Sequence, residues 1–104
     1  MELEKLQDSA RRASTLLKAM SNEHRLMILC QLLDGEKSVG ELEKLIGLSQ
    51  SALSQHLARL RRDNLVQTRR QAQTIYYSLA GAEAAAVINT LYGLYCARPT
   101  ACAA

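Results

Sequence analysis

Two short amphipathic segments separated by a glycine lie in the middle of the chain. The first follows Ser38, which has Glu41 three residues later, the pattern of a capping box. The second opens at Ser49, and its leucines recur at helical spacing: Leu53, Leu57 and Leu60. Gly47 stands between the two segments, where a helix usually ends. This pattern predicts a helix-turn-helix unit.

Two further helices are predicted before this unit. Apolar residues recur every three or four positions over residues 3–20, which is typical of one face of a helix. The segment SNEHRLMILCQLL predicts a second helix that is capped by Ser21 or Asn22 and ends near Gly35. Its inward face would carry Leu26, Leu29, Cys30 and Leu33.

The hydrophobic period changes after the unit. LVQTRR and QTIYYSL are rich in β-branched and aromatic residues and are separated by Gln71-Ala72, so they predict a β-hairpin. A last helix is predicted from Ala82 to about Arg98, because Pro99 cannot continue it.

This order predicts a mainly α winged helix-turn-helix: four helices, a β-hairpin wing and a fifth helix. Residues 1–98 would form one domain for DNA binding and dimerisation, and residues 99–104 a flexible tail. The first and last helices carry apolar stripes that the small central unit cannot cover. We therefore expect a homodimer that is formed through these two helices.

Positive charge is concentrated in one part of the chain. The formal net charge is +3, but residues 49–80 hold five arginines and one aspartate, a local balance of 5 − 1 = +4. The arginines are Arg59, Arg61, Arg62, Arg69 and Arg70. A basic block in a near-neutral chain is typical of a protein that binds a polyanion. A solvated charged surface is the alternative.

The second helix of the unit is edged with short, uncharged hydrogen-bonding side chains: Gln50, Ser51, Ser54 and Gln55. Such side chains fit a helix that lies in the DNA major groove, since Gln bonds adenine bidentately and Ser bonds either base pair. The five arginines would contact phosphate. Gln71 and Gln73 would bring the hairpin tip to the minor groove. His56 is expected to pack at the edge of the inward face.

Other function classes find little support. The N-terminus lacks the pattern of a signal peptide, and no apolar run is long enough for a membrane span, so a cytoplasmic protein is expected. Three cysteines without a CxxC pair form no disulfide framework. A small thiol redox enzyme or persulfide carrier is the alternative class. Neither a Gly-rich nucleotide loop nor a base paired with a cysteine supports it, and no enzyme is predicted.

Three segments together resemble the ArsR/SmtB family of bacterial repressors: KAMSNEHRLMILCQLL, SVGELEKLIGLSQSALSQHLARLRRDNLV and the hairpin ending IYYSL. The resemblance covers about residues 15–96. It implies a homodimeric repressor on double-stranded operator DNA with an inverted repeat, released by a chemical signal. It also implies DNA contacts at Gln50, Ser51, Ser54 and Gln55, with the wing at Arg69 to Gln73.

Metal is a common signal in this family, but the residues do not favour it. The metal-sensing members carry a CxC-type thiolate pair where this chain reads SVGELE, or Asp and His pairs along the last helix. That helix holds Glu83 as its carboxylate and no histidine. No metal site and no cofactor are therefore expected. Haem, a general oxidant and, less favoured, a metal stay open as alternative signals. Haem stays open because Tyr92, Tyr95, Cys96 and His24 do not exclude it.

The stretches RLMILC and LYC resemble the dithiol persulfide sensors of the BigR/SqrR/YgaV type. This resemblance implies that Cys30 and Cys96 are a sensing pair for persulfides or polysulfides, that the reduced form binds the operator, and that the modified form leaves it. Sequence spacing cannot show that two thiols 66 positions apart meet, and either alone reads as an ordinary packed cysteine. Cys102 falls outside the pattern and could compete as a resolving thiol.

Overall fold

A computed structural model describes residues 2–96 of the chain. The elements in this range are α1 (Leu3–Met20), α2 (Glu23–Leu32), β1 (Lys37–Ser38), α3 (Val39–Ile46), α4 (Gln50–Arg62), β2 (Val66–Gln71), β3 (Thr74–Leu79) and α5 (Ala82–Tyr95). The predicted winged helix-turn-helix is confirmed. The predicted helix end at Arg98, the tail 99–104 and Cys102 lie outside the described residues.

Hydrogen-bonding caps set the beginnings of three helices. Asn22 caps α2, since its side-chain oxygen accepts from the amides of His24 and Arg25 at 2.9 and 3.1 Å. Ser38 and Glu41 form the predicted capping box at α3. Ser49 caps α4 by accepting from the Ala52 amide at 3.2 Å. These caps satisfy amides that the first turn of a helix leaves unpaired.

The turn between α3 and α4 depends on Gly47. This residue has φ +80°, a left-handed conformation that glycine adopts without steric cost. The chain therefore leaves α3 sharply and enters α4 three residues later, as the sequence predicts.

The sheet has one more strand than predicted. Its order is β1-β3-β2, all antiparallel, and the short β1 pairs Lys37 with Tyr77. The predicted turn at Gln71-Ala72 was wrong by one residue. Gln71 pairs with Thr74, so the loop is Ala72 and Gln73. Ala72 has φ +55°, which supplies the left-handed step that a two-residue hairpin loop needs.

The core is centred on α2 and α4. The three α4 leucines predicted to face inward are at most 1% exposed, and Ile28, Leu29 and Leu42 are fully buried around them. From α5, Ala84 and Ile88 join this core. The predicted inward face of α2 is confirmed only in part: Leu29 is buried, while Leu26, Cys30 and Leu33 are partly buried at its edge. Ile28 and Leu32, which were not predicted, are buried beside Leu29.

The outer helices keep much of their apolar surface uncovered. On α1, Leu3, Leu6 and Leu17 are 67%, 50% and 55% exposed. On α5, Leu94 and Tyr95 are 51% and 70% exposed. No helix within residues 2–96 has the length and apolar character needed to cross a membrane.

Candidate nucleic-acid interface and thiol pair

The polar edge of α4 is available for contact. Gln50, Ser51, Ser54 and Gln55 are all exposed, whereas Leu53, Leu57 and Leu60 of the same helix are buried. The Ser49 cap holds the first turn in place, so the polar side chains project from a defined backbone. We call α4 the recognition helix and the β2–β3 hairpin the wing.

The structure brings the recognition helix and the wing together at one groove. Gln50 and Ser54 line this groove from α4, while Gln73 and Thr74 line it from the tip of the wing. Of the predicted base-reading and wing residues, Gln50, Ser54 and Gln73 thus share one surface, whereas Gln55 lines a different one. The α4 residues and the wing residues of this groove are about twenty positions apart in the sequence, and the fold brings them together.

The predicted phosphate-binding arginines fall into two groups. Arg61 and Arg70 are exposed. Arg59 instead donates from Nε to Asp63 Oδ2 at 3.1 Å, and Arg62 Nε lies 3.8 Å from Asp63 Oδ1. Arg59 and Arg62 therefore share a carboxylate at the end of the recognition helix.

Arg69 is held at the wing by contacts with three residues, including a two-point pair with Glu36 in which Nη2 donates to Oε1. It donates from Nε to Glu36 Oε2 at 3.1 Å and from Nη1 to Gln71 Oε1 at 2.9 Å, and it lies over the Tyr76 ring at 4.7 Å. The hydrogen bond lowers the pKa of Glu36 and raises the pKa of Arg69. No sequence signal joined Glu36 to a residue 33 positions away, so this pair was missed.

The two thiols predicted as sensors lie on neighbouring helices. Cys30 is half-buried in α2, and Cys96 is exposed at the end of α5, where its amide donates to the Tyr92 carbonyl at 2.7 Å. Helices α2 and α5 pack against each other. Burial raises the pKa of the Cys30 thiol, and the charge of Cys96 raises it further. The two thiols thus belong to packed helices, and Cys96 is one of the groups that raise the pKa of Cys30.

His56 packs against another histidine. Its ring centroid lies 5.7 Å from that of His24 on α2, with the rings tilted by 42°. Burial lowers the pKa of His56, and the charges of Arg25 and His24 lower it further. The packed position matches the expectation for His56, while the histidine pair and Arg25 were not foreseen.

No metal-binding cluster is present among the residues that the structure describes: groups of three or more His, Cys, Asp and Glu side chains do not occur at metal-binding separations within residues 2–96. His24, one of the residues left open as a haem ligand, contacts His56 at the beginning of α2. Tyr92, Tyr95 and Cys96 lie at the end of α5.

Comparison with known proteins agrees with this arrangement. The model of the arsR family of bacterial regulatory proteins matches residues 22–68. The transcriptional activator HlyU of Vibrio cholerae is 57% identical over 92% of this chain and 89% of its own length. The chain belongs to the ArsR family. It is a DNA-binding transcriptional regulator and not an enzyme.

Other relatives support the fold over nearly the whole chain. The biofilm growth-associated repressor of Xylella fastidiosa is 45% identical over 94% of this chain and 86% of its own length. The crystal structure of the transcriptional repressor BigR from Xylella fastidiosa is 45% identical in sequence and covers 94% of this chain and all of that one, with a TM-score of 0.84. The structure of reduced HlyU from Vibrio cholerae covers 90% of this chain and 99% of that one, with a TM-score of 0.87. A homodimeric winged helix-turn-helix domain from Mycobacterium bovis is 26% identical. Its structure covers 89% of this chain and 86% of that one, with a TM-score of 0.78.

Proposed function

We propose that this ArsR-family regulator is a homodimeric, cytoplasmic repressor that leaves its inverted-repeat operator when Cys30 and Cys96 react with persulfides or polysulfides. The observation that carries the proposal is the position of the two thiols. They belong to two helices that pack together, and the charge of Cys96 reaches Cys30.

Dimerisation is supported by the uncovered apolar face of α1 and α5. Leu6 and Leu17 on α1 and Leu94 on α5 are each about half exposed, with no covering element in a single protomer over residues 2–96. A two-fold dimer that buries this face presents two recognition helices with opposite polarity, which fits an inverted repeat. The homodimeric domain from Mycobacterium bovis has the same fold.

Operator recognition is assigned to the groove between the recognition helix and the wing. Gln50, Ser51, Ser54 and Gln55 would meet base edges in the major groove, where Gln discriminates adenine. Arg61, Arg62 and Arg70 would neutralise phosphates, with Arg59 and Arg69 beside them. Gln71 and Gln73 at the tip of the wing would enter the adjacent minor groove.

The raised pKa of Cys30 indicates which of the two thiols reacts first. Because a raised pKa leaves less thiolate on Cys30, the exposed Cys96 is the first nucleophile. Its thiolate attacks an inner sulfane sulfur of a polysulfide, which leaves Cys96 carrying two added sulfur atoms and expels the shorter polysulfide. Cys30 then loses its proton to water and attacks the sulfur that is attached to Cys96, expelling the terminal sulfur as hydrosulfide. The two thiols are oxidised, the sulfane sulfur is reduced to sulfide, and a bridge with one added sulfur results.

Such a bridge would tie α5, the dimerisation helix, to α2. Since α2 also packs against α4, a change in the α2–α5 spacing would change the separation of the two recognition helices. Allosteric coupling is typically about 1–3 kcal/mol, or roughly 5–150-fold in affinity, which is enough to release an operator. One solved structure of the relative HlyU is described as that of the reduced protein.

Intact-protein mass spectrometry combined with operator binding tests the proposal. Polysulfide should add whole sulfur atoms and weaken operator binding in the wild type, and both effects should disappear in Cys30→Ser and Cys96→Ser. Cys102→Ser is the matched control and should respond like the wild type. Loss of two hydrogens without added sulfur would replace the signal by a general oxidant, and an unchanged mass would remove the sulfur signal. Release by haem or zinc from a thiol-free variant would assign the switch elsewhere.

The sign of regulation needs its own measurement, because HlyU is named an activator and the Xylella relative a repressor. A reporter driven by the bound promoter should rise when polysulfide is added. A fall in reporter output with intact operator release would make this protein an activator.

A further inference from the structure

The geometry points to a phosphate-binding site on the flank of the recognition helix that faces away from the wing, built from α2 and α4 together, which takes a phosphodiester of the operator backbone. The site rests on the operator binding proposed above, but it involves neither thiol.

The site is a concave basic surface. Arg25 lines it from α2, and Gln55, His56, Arg59 and Arg62 line it from α4. The guanidinium group presents a planar fork of N–H donors that matches the oxygens of a phosphate. Three such groups around one depression form a receptor for an anion of that kind.

Cationic groups crowd each other in this surface. The pKa of Arg25 is lowered by burial and then by the charge of Arg59, against the opposite effect of Asp63. The pKa of His56 is lowered by burial and then by Arg25 and His24. A bound phosphate would relieve this repulsion, and Asp63, which already pairs with Arg59, offsets it only in part.

Arg25 is held in place before any ligand binds. Its Nε donates to the Ala19 carbonyl at 2.5 Å, and Nη2 lies 3.5 Å from the Lys18 carbonyl. Both carbonyls belong to the last turn of α1, so the guanidinium is fixed between α1 and α2. A side chain that is already ordered loses less conformational entropy on binding.

The position next to Gln55 indicates which phosphate would bind. Gln55 lines this surface and also belongs to the polar edge of the recognition helix. The wing groove lies on the other flank, beside Gln50 and Ser54. A helix in the major groove is bordered by two phosphate backbones, and the two flanks of α4 would each receive one of them.

The salt dependence of operator binding tests this site. The proteins are wild type, Arg25→Gln and the charge-matched control Arg11→Gln, whose side chain is exposed on α1; each is titrated in reduced form against operator and scrambled duplexes. Each lost phosphate contact flattens the slope of log K against log salt by about 0.9, so the loss of two sites in a dimer gives about 1.8. Between about 50 and 200 mM salt, the wild type should therefore lose about 12-fold more affinity than Arg25→Gln. The loss should be equal on both duplexes.

A second variant covers the case in which Arg25→Gln disturbs the fold, which its thermal melt reports. A bound phosphate favours the charged imidazole, so the pKa of His56 should rise on binding and operator affinity should increase as the pH falls from about 8 to about 6. A rise of one pKa unit gives up to about tenfold per protomer. The charged and titratable groups around His56 are Arg25 and His24 from α2 and Arg59 and Arg62 from α4. Behind them, Glu23 lies beside His24 and Asp63 pairs with Arg59. His56→Gln should lose this increase, while Arg11→Gln should keep it.

Several outcomes would overturn the site. A slope for folded Arg25→Gln equal to that of Arg11→Gln removes it, as does a wild-type pH response in His56→Gln. If millimolar inorganic phosphate shifts the His56 ring resonances of DNA-free protein while the Arg25→Gln slope is unchanged, the surface binds a free anion and not the operator. A wild type that binds no operator contradicts the proposed function as well.

Discussion

The apolar face of α1 provides the sharpest test of the proposed dimer. Leu6 and Leu17 are 50% and 55% exposed in one protomer. Full burial of a leucine side chain contributes about 2 kcal/mol, so covering the exposed half of each contributes about 1 kcal/mol. A symmetric dimer contains each residue twice. The double variant Leu6→Ala/Leu17→Ala should therefore weaken dimerisation by about 4 kcal/mol, or about 1,000-fold in the dissociation constant.

Sedimentation velocity over a range of protein concentrations measures this change directly. Alanine keeps the helix propensity of α1 high, so the variant tests contact and not helix formation. Leu45→Ala is a matched control, because Leu45 is 48% exposed on α3, away from both outer helices. If the double variant and this control have dissociation constants within about threefold of each other, α1 does not form the interface.

Three further results are expected. Ser49→Ala removes the acceptor of the Ala52 amide and should lower the free energy of unfolding by about 1 kcal/mol in a urea titration, and an unchanged midpoint would contradict the cap. Gln55→Ala should reduce discrimination between the operator and a base-substituted operator by about 1–3 kcal/mol in competition binding; equal losses on both would show that Gln55 reads no base. Because burial and the charge of Cys96 raise the pKa of Cys30, closure of the sulfur bridge should accelerate as pH rises toward that pKa, and quenched mass spectrometry showing a rate independent of pH would refute the assigned order of attack.

Local sequence patterns predicted most of the helical structure. A cap needs a side chain and an amide two or three residues later, so Ser38 and Ser49 could be recognised by spacing alone, and Asn22 as one of two candidates with Ser21. The same holds for Gly47, whose position between two amphipathic segments indicated a left-handed helix end. The inward leucines of α4 followed from the helical period. Each of these features depends on neighbours within about one or two turns.

Features that depend on distant pairing were harder to predict. Strand β1 has two residues, too few for any alternation, and it exists because β3 pairs with it some forty positions later. The turn of the wing was misplaced by one residue because no glycine marked it, and Ala72 took the left-handed position instead. The hydrogen bond between Arg69 and Glu36 depends on the same distant pairing, so it could not be predicted from the sequence either.

The candidate sites divide in the same way. Residue types and spacing by themselves identified a polar-edged recognition helix, a basic wing and two outer helices with uncovered apolar stripes, since these properties belong to single elements. Only the packing of α2 against α5 and α4 decided that Cys30 and Cys96 lie on neighbouring helices, and that Arg25 joins His56 beside the recognition helix. Helix periodicity determines which face of an element is apolar, whereas the partner of that face is a property of the folded chain.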